Sequence, residues 1–238
     1  MTIESKYVAW LTILMIVILT GIFSCKKDKE VLAVDLGYDY FPSNKGSFII
    51  YEVDSLYYND FTFTIDTFKF QIKEKIADNF TDLSNRLTQR IERFYRKNSN
   101  EEWLIKDVWF ANQTANTAEK VEENIRFVKI VFPLKKENSW NGNRFNVLGP
   151  DEFRLQHCHL PFRIDTKAFD RSVTVIQQND STLVSQDKRL EVYGYQIGLV
   201  YAERQQVRFC TTDPGCNQSG AILYGIRQFI RLTEHGKD

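Results

Sequence analysis

The residues best suited to chemistry in this sequence are two histidines that flank a cysteine, His157-Cys158-His159. On a β-strand alternate side chains share a face, so His157 and His159 would lie together while Cys158 points the other way. Such a pair could form half of a zinc site, but the only other histidine is His235, so a third ligand would have to be a carboxylate. The alternative is ordinary strand residues with Cys158 as a buried thiol. We adopt that alternative and predict no metal and no cofactor.

Two further cysteines, Cys210 and Cys216, flank the turn sequence Asp213-Pro214-Gly215. Asp, Pro and Gly favour a chain reversal, which would bring the two sulfur atoms together. In an oxidising compartment such a pair forms a disulfide, which contributes about 2 kcal/mol by closing the loop. The sequence therefore predicts a Cys210–Cys216 disulfide, and a metal pair is the weaker alternative because no other ligands cluster nearby.

The sequence contains no recognised catalytic motif. No serine lies in a Gly-x-Ser-x-Gly elbow, and neither a phosphate-binding loop nor a His-x-x-x-His helix is present. Two carboxylates that are distant in sequence could still form a glycosidase site. We therefore assign no catalytic residues and leave enzymatic activity open, with a non-enzymatic protein as the favoured interpretation.

Composition indicates a sheet-rich globular protein. The 238 residues carry 31 Lys and Arg against 31 Asp and Glu, so no charge imbalance points to nucleic acid. Aromatic residues make up 14% of the chain, with only 11 Gly and 5 Pro, which favours strands over disorder. A chain of this length buries enough surface for a single core.

Alternating apolar and polar residues predict the strands that must position these groups. The clearest case is 68–76, where Phe68, Phe70 and Ile72 share one face and lysines occupy the other. Segment 80–97 fits both helical and strand spacing, and we favour a strand over 86–96 because strand-like runs flank it. Further strands are predicted near 48–53, 102–110, 125–132, 154–164, 172–178, 188–195, 198–209 and 221–232, with a tight turn at 140–143. The sequence thus predicts an all-β, mainly antiparallel fold, either a curved sheet that forms a barrel or half-barrel or else a sandwich, with few short helices.

The N-terminus has the layout of a secretory signal, with Lys6, an apolar run from Tyr7 to Leu19 and small residues before Cys25. Ile22-Phe23-Ser24-Cys25 resembles a bacterial lipobox, which implies cleavage after Ser24 and lipidation of Cys25. An uncleaved helix is the alternative, but the apolar run is at the short limit of what spans roughly 30 Å of hydrocarbon. Two or more acyl chains hold a protein durably on a membrane, so Cys25 alone would suffice as an anchor.

These signals define the expected domain organisation and location. Residues 1–24 are predicted to be a lipoprotein signal peptide, 25–47 the lipidated cysteine with a tether and lead-in loop, and 48–234 a single β-rich envelope domain. Lys26 follows the cysteine, and its resemblance to bacterial sorting signals favours the outer membrane, with the leaflet left open.

Four segments together resemble a family of Bacteroidetes lipoproteins of unassigned activity. They are, in chain order, Phe48–Leu56, Val121–Pro133, Ser139–Asn143 and Tyr193–Tyr201. The resemblance implies an envelope protein attached through Cys25, with no enzymatic residues to carry over. The last segment also resembles β-rich periplasmic lipoprotein carriers, whose curved sheets hold an acyl chain.

Three hypotheses for function follow. The leading one is a non-enzymatic, lipid-anchored envelope protein whose curved sheet offers a binding surface or an apolar cavity to a lipid, glycan or envelope-protein partner. The second is a hydrolase of envelope polymers that uses carboxylates or a His157/His159 metal site. The third is a structural subunit of an outer-membrane assembly. The first predicts a sizeable cleft, and the second predicts two facing carboxylates or a zinc site.

Overall fold

The computed structural model describes residues 35–211 and 220–238. The predicted signal peptide 1–24, the predicted lipidation site Cys25 and Cys216 lie outside the described residues, so cleavage, lipidation and the Cys210–Cys216 disulfide stay predictions. Cys210 itself is buried. None of the described residues forms a helix that is both long enough and apolar enough to cross a bilayer.

The described chain folds into one antiparallel sheet of twelve strands. The strands are β1 (Ser47–Asn59), β2 (Thr64–Thr81), β3 (Leu87–Arg96), β4 (Leu104–Gln113), β5 (Thr117–Glu122), β6 (Ile125–Val131), β7 (Ser139–Asn141), β8 (Glu152–Ile164), β9 (Lys167–Ser181), β10 (Ser185–Gly194), β11 (Gly198–Phe209) and β12 (Ile222–Lys237). Within the described ranges the only helical element is the 3-10 turn Tyr38–Tyr40. The all-β, antiparallel prediction is confirmed.

The sheet consists of two meanders of six strands each. Strands β1 to β6 follow one another on one side and β12 back to β7 on the other, and β1 pairs with β12 where the meanders meet. Inward-facing partners at this seam include Tyr51 opposite Leu232 and Val53 opposite Ile230. Tyr51, Val53 and Leu232 are almost fully buried. The seam therefore forms part of the core as well as the join between the two halves.

The two outer strands, β6 and β7, come together and nearly close the sheet into a barrel. The Val128 amide donates to the Gly142 carbonyl at 2.9 Å, and the Trp140 indole donates to the Val128 carbonyl at 2.9 Å. Nearby, the Asn146 amide donates to the Arg126 carbonyl at 2.8 Å. These hydrogen bonds involve side chains and the loop after β7 and do not form a regular ladder. Strands β6 and β7 are therefore held together without being paired as neighbouring strands. Of the predicted architectures, the nearly closed barrel is the one observed.

The segment from Asp35 to Ser43 covers one end of the barrel, which we call the near end. Tyr40 is fully buried there, and its hydroxyl lies 2.9 Å from His159 Nδ1. The Gln113 amide donates to the Tyr38 carbonyl, and the Gln196 backbone amide donates to the Asp39 carbonyl, both at 2.8 Å. The described part of the predicted lead-in loop, from Asp35 onward, therefore includes a folded plug. The opposite end, which carries the β1–β2 loop, is called the far end.

Two features of the strand assignment were decided by the structure. The ambiguous segment 80–97 is a strand from Leu87 to Arg96, as favoured. Strand β5 was missed, because Glu119 and Lys120 in Thr117–Glu122 give it the look of a polar loop. Both charges are buried against partners from other strands, and those contacts are not visible in the local sequence.

Gly225 of β12 is required by the close approach of its neighbour strand. Its φ is +129°, and a Cβ atom there would lie 2.1 Å from the Gln206 carbonyl oxygen. We expect Gly225→Ala to lower the free energy of unfolding by at least about 2 kcal/mol, because the clash is with backbone that cannot rotate away. Gly149→Ala is the matched control, since nothing lies within 4 Å of its added Cβ, and it should stay within about 0.5 kcal/mol. Urea unfolding measures both, and equal midpoints would contradict the expectation.

Candidate binding site

Charged side chains from strands that are not neighbours meet inside the barrel. Lys129 on β6 lies 2.8 Å from Glu191 on β10 and 3.1 Å from Glu122 on β5. Since β6 and β10 are separated in the sheet, the contact between Lys129 and Glu191 crosses the lumen. Lys129 is only 5% exposed. We call Glu122, Lys129 and Glu191 the charged septum.

A second buried network lies deeper toward the near end. Glu74 on β2 accepts from Arg93 on β3 at 3.0 Å and from Lys120 on β5 at 2.8 Å. Arg93 also donates to both oxygens of Asp107 at 3.0 Å, and its guanidinium stacks on the Trp109 ring at 3.4 Å. Each charge in this network therefore has an opposite charge beside it, which is the condition under which buried charges are tolerated.

Neighbouring charges keep the Lys129 ammonium and the Glu191 carboxylate ionised despite their burial. Burial alone would lower the pKa of Lys129, but the carboxylates of Glu122 and Glu191 outweigh it and hold that pKa above its usual value. Burial would likewise raise the pKa of Glu191, yet the ammonium of Lys129 holds it below its ordinary value. Burial and the adjacent Glu191 charge raise the pKa of Tyr193, whose hydroxyl donates to Glu191 at 2.6 Å. At neutral pH Lys129 is thus a cation, Glu191 is a carboxylate and Tyr193 is a neutral phenol.

Two cavities occupy the lumen, one on each side of the septum. The near cavity, of about 120 Å³, is bounded by the plug residues Phe41 and Pro42. The far cavity, of about 470 Å³, lies among the halves of β10, β11 and β12 that are distant from the plug. Glu122, Lys129 and Glu191 line both cavities. The septum is therefore the wall between them.

The far cavity is lined by polar and charged side chains together with apolar ones, among them the rings of Phe127 and Phe153. Arg189 binds Asp151 through two hydrogen bonds of 2.9 and 3.2 Å. Gln228 donates to the Ser55 hydroxyl at 2.9 Å, while the Gln177 side chain makes no hydrogen bond within the described residues. The half-buried Phe127 ring also contributes to the wall. This set offers donors, acceptors and a ring face to a small molecule.

The residues singled out from the sequence lie elsewhere, on β8 outside the far cavity. His157 is exposed, and burial raises the pKa of the half-buried Cys158 thiol. His159 has a φ of +57°, and its Nδ1 lies 3.1 Å from Arg171. Pairing with β9 shifts register on both sides of His157, so the regular alternation that the zinc hypothesis required is interrupted. Across residues 35–211 and 220–238 there is no group of three potential metal ligands.

The septum and the Glu74 network were not identified from the sequence, although a signal was present. In strand 68–76 the apolar face of Phe68, Phe70 and Ile72 continues into Glu74. Lys129 likewise interrupts an apolar run on β6. A charge at a position that strand periodicity assigns to the core indicates either an error of register or a buried partner.

Comparison of the sequence with models of protein families and with curated proteins gives no match. Two solved structures are similar: a candidate exported protein with a YmcC-like fold from Bacteroides fragilis and a candidate lipoprotein from Parabacteroides distasonis. Each is 10% identical, and each alignment covers 83% of this chain and 98% of the other, with TM-scores of 0.43 and 0.41. Neither similarity assigns a ligand or an activity to this chain.

Proposed function

We propose that this chain is a non-enzymatic binding protein of the cell envelope, anchored to the outer membrane through lipid on Cys25, and that it holds a small polar ligand in the far cavity. The observation that carries the proposal is the 470 Å³ space inside a rigid barrel, walled by paired charges and amides. Its volume falls within the roughly 300–1,000 Å³ typical of small-molecule sites.

The lining favours a polar ligand over an acyl chain. A hydrocarbon in the far cavity would lie against Lys129, Glu191 and the Arg189–Asp151 pair, and it would strip water from charges without replacing its hydrogen bonds. The apolar-cavity version of the binding hypothesis, which the resemblance to lipoprotein carriers had suggested, is therefore not adopted.

Binding is also favoured over hydrolysis of an envelope polymer. Glu122 and Glu191 face each other, as a pair of glycosidase carboxylates would, but both contact the same ammonium of Lys129. A glycosidase needs one carboxyl that is protonated at the working pH. Because Lys129 holds the pKa of Glu191 low, Glu191 is unsuited to the acid role. The ammonium that both carboxylates contact also occupies the space between them where a glycosidic bond would have to lie. The third hypothesis, a structural subunit of an outer-membrane assembly, concerns protein partners and is separate from the choice between binding and hydrolysis.

The path of the chain supports an orientation for the anchored protein. Asp35, the first described residue, lies at the near end, where it contacts Arg171 at 2.5 Å. It lies ten positions after Cys25, and a fully extended segment of that length spans at most about 36 Å. We therefore place the plug toward the membrane and the far cavity away from it, where a water-soluble ligand has access.

A substitution that fills the cavity tests the proposal. Ala202 lines the far cavity, so Ala202→Trp should occupy the space, whereas Ala168→Trp places the same ring on an exposed position of β9. The full-length lipoprotein in a zwitterionic detergent free of sugar head groups is screened by saturation-transfer NMR. The probes are four neutral disaccharides (maltose, cellobiose, lactose and N,N′-diacetylchitobiose), glucose 6-phosphate, glutamate and alanyl-alanine.

At least one of these polar probes should bind the wild type and the Ala168→Trp variant. Binding should fall at least about tenfold in Ala202→Trp, because the indole excludes the ligand by volume. Binding of no probe, or binding that survives Ala202→Trp unchanged, would overturn the proposed function.

A further inference from the structure

We infer that the ligand of the far cavity is a neutral saccharide, an inference that rests on the proposed binding function of that cavity. Some polar groups of the cavity wall are already paired with one another, whereas others still have hydrogen-bonding capacity for a ligand.

The cations deepest in the cavity are already neutralised by protein carboxylates. Lys129 contacts both Glu122 and Glu191, and Arg189 contacts Asp151 and Asp187. An anionic ligand such as a phosphate or a carboxylate would have to compete with these partners and would face their charges at short range. The wall around these two cations therefore disfavours an anion.

What is left over is mainly neutral hydrogen-bonding capacity, with one exposed guanidinium at the edge of the cavity. The Gln177 side chain has both its donors and its acceptor available, since no hydrogen bond to it occurs within the described residues. Gln228 uses its amide nitrogen on Ser55, which leaves its carbonyl oxygen to accept. Arg204 is exposed at the edge of the cavity and binds Gln206 at 2.6 Å, with no carboxylate partner in the described residues. Planar amide and guanidinium groups suit adjacent hydroxyls, which both donate and accept.

The aromatic side chain of Phe127 in the cavity wall also suits a saccharide. The Phe127 ring forms part of the wall, and the Lys129 ammonium lies 5.4 Å from its centroid. A sugar ring presents C–H groups on its faces and hydroxyls around its edge, so it can rest on a ring face while its rim meets the amides. A neutral saccharide is thus the small-molecule class that uses each of these groups without disturbing the ion pairs.

Substitution of the free glutamine tests the inference. Gln177→Leu keeps the side-chain size and removes no hydrogen bond of the folded chain, so thermal melting should be unchanged. The matched control is Gln186→Leu, a half-buried glutamine of β10 that does not line the cavity. Both variants of the full-length protein are titrated with whichever of the four neutral disaccharides binds the wild type, under the detergent conditions given above.

We expect Gln177→Leu to weaken disaccharide binding at least about tenfold and Gln186→Leu to leave it unchanged. Binding should also be insensitive to sodium chloride, because an uncharged ligand has no screened attraction to lose. If only glucose 6-phosphate, glutamate or alanyl-alanine binds, and Ala202→Trp abolishes it, the saccharide inference fails while the binding function stands. Equal affinities of the Gln177→Leu and Gln186→Leu variants would also overturn the inference, and binding of no probe would overturn both proposals.

Discussion

Lys129→Met is expected to lower the free energy of unfolding by about 3–5 kcal/mol at neutral pH. The substitution preserves most of the side-chain volume but removes the cation that Glu122 and Glu191 share. Both carboxylates would then be left in the lumen without their counter-ion, and an uncompensated buried charge is among the most destabilising changes known for a single residue. Urea unfolding followed by circular dichroism measures the effect.

The pH dependence of this variant should differ in sign from that of the wild type. In the wild type the pKa of Glu191 in the folded state is held below its unfolded value near 4.5, so its contribution is complete above that pH and is lost as the pH falls through the folded pKa. In Lys129→Met we expect burial to outweigh the remaining Tyr193 hydrogen bond and Lys120 charge and to raise the folded pKa of Glu191, so stability is lost as the pH rises through that value. Acidification from pH 8 to pH 5 should therefore stabilise the variant and leave the wild type nearly unchanged.

Two comparisons isolate the cause. Lys45→Met removes a similar ion pair, to Asp78 at 2.7 Å, but Lys45 is mostly exposed and the cost should be under about 1 kcal/mol. A triple variant, Lys129→Met with Glu122→Gln and Glu191→Gln, should recover most of the lost stability because no charge is left unpaired. A triple variant as unstable as Lys129→Met would show that volume, and not charge, dominates at this site.

Arg93→Ala is expected to cost a similar amount, about 3–5 kcal/mol. Arg93 is only 9% exposed, and it joins Glu74 to Asp107 while stacking on Trp109. Its loss removes one of the two cations that hold the pKa of the buried Glu74 low against the opposing effect of burial. Arg93→Lys should fall between, since an ammonium keeps the charge but not the bidentate contact or the stacking plane.

The same strand supplies the control. Arg90 lies on the outward face of β3, is 41% exposed at its side chain and makes a single ion pair to Glu92 at 2.7 Å. Arg90→Ala should change stability by less than about 1 kcal/mol. If Arg90→Ala and Arg93→Ala prove equally destabilising in urea, the inward network does not have the structural role assigned to it.

The strands could be predicted where local pattern and burial agree. Phe70 and Ile72 share a face because that face meets the core, and the β12 residues Ile226, Ile230 and Leu232 alternate in the same way. The same reasoning missed β5, where Lys120 is buried by a carboxylate on β2. Two-residue periodicity identifies which side chains share a face, but it carries no information about what lies across the lumen.

The candidate site was harder to predict than the fold for the same reason. Lys129 and Glu191 are 62 positions apart, and their contact exists only because the sheet curls far enough to bring β6 opposite β10. His157 and His159 attracted attention because histidine is a common metal ligand. Gln177 and Gln228 have no distinguishing feature in the sequence, and only the curled sheet brings them together around the far cavity.

The pairing of β1 with β12 has a consequence for the order in which the protein can mature. Tyr51 lies on the first described strand and Leu232 on the last, so in an exported chain as proposed here the seam cannot form until β12 has emerged from the translocation machinery. The N-terminal half of such a chain would cross the inner membrane before β12 is present to pair with β1, so the sheet would still be incomplete. Acylation at Cys25 would then precede completion of the fold. A truncation that removes β12 would leave a lipid-anchored protein whose sheet is open and exposed to envelope proteases.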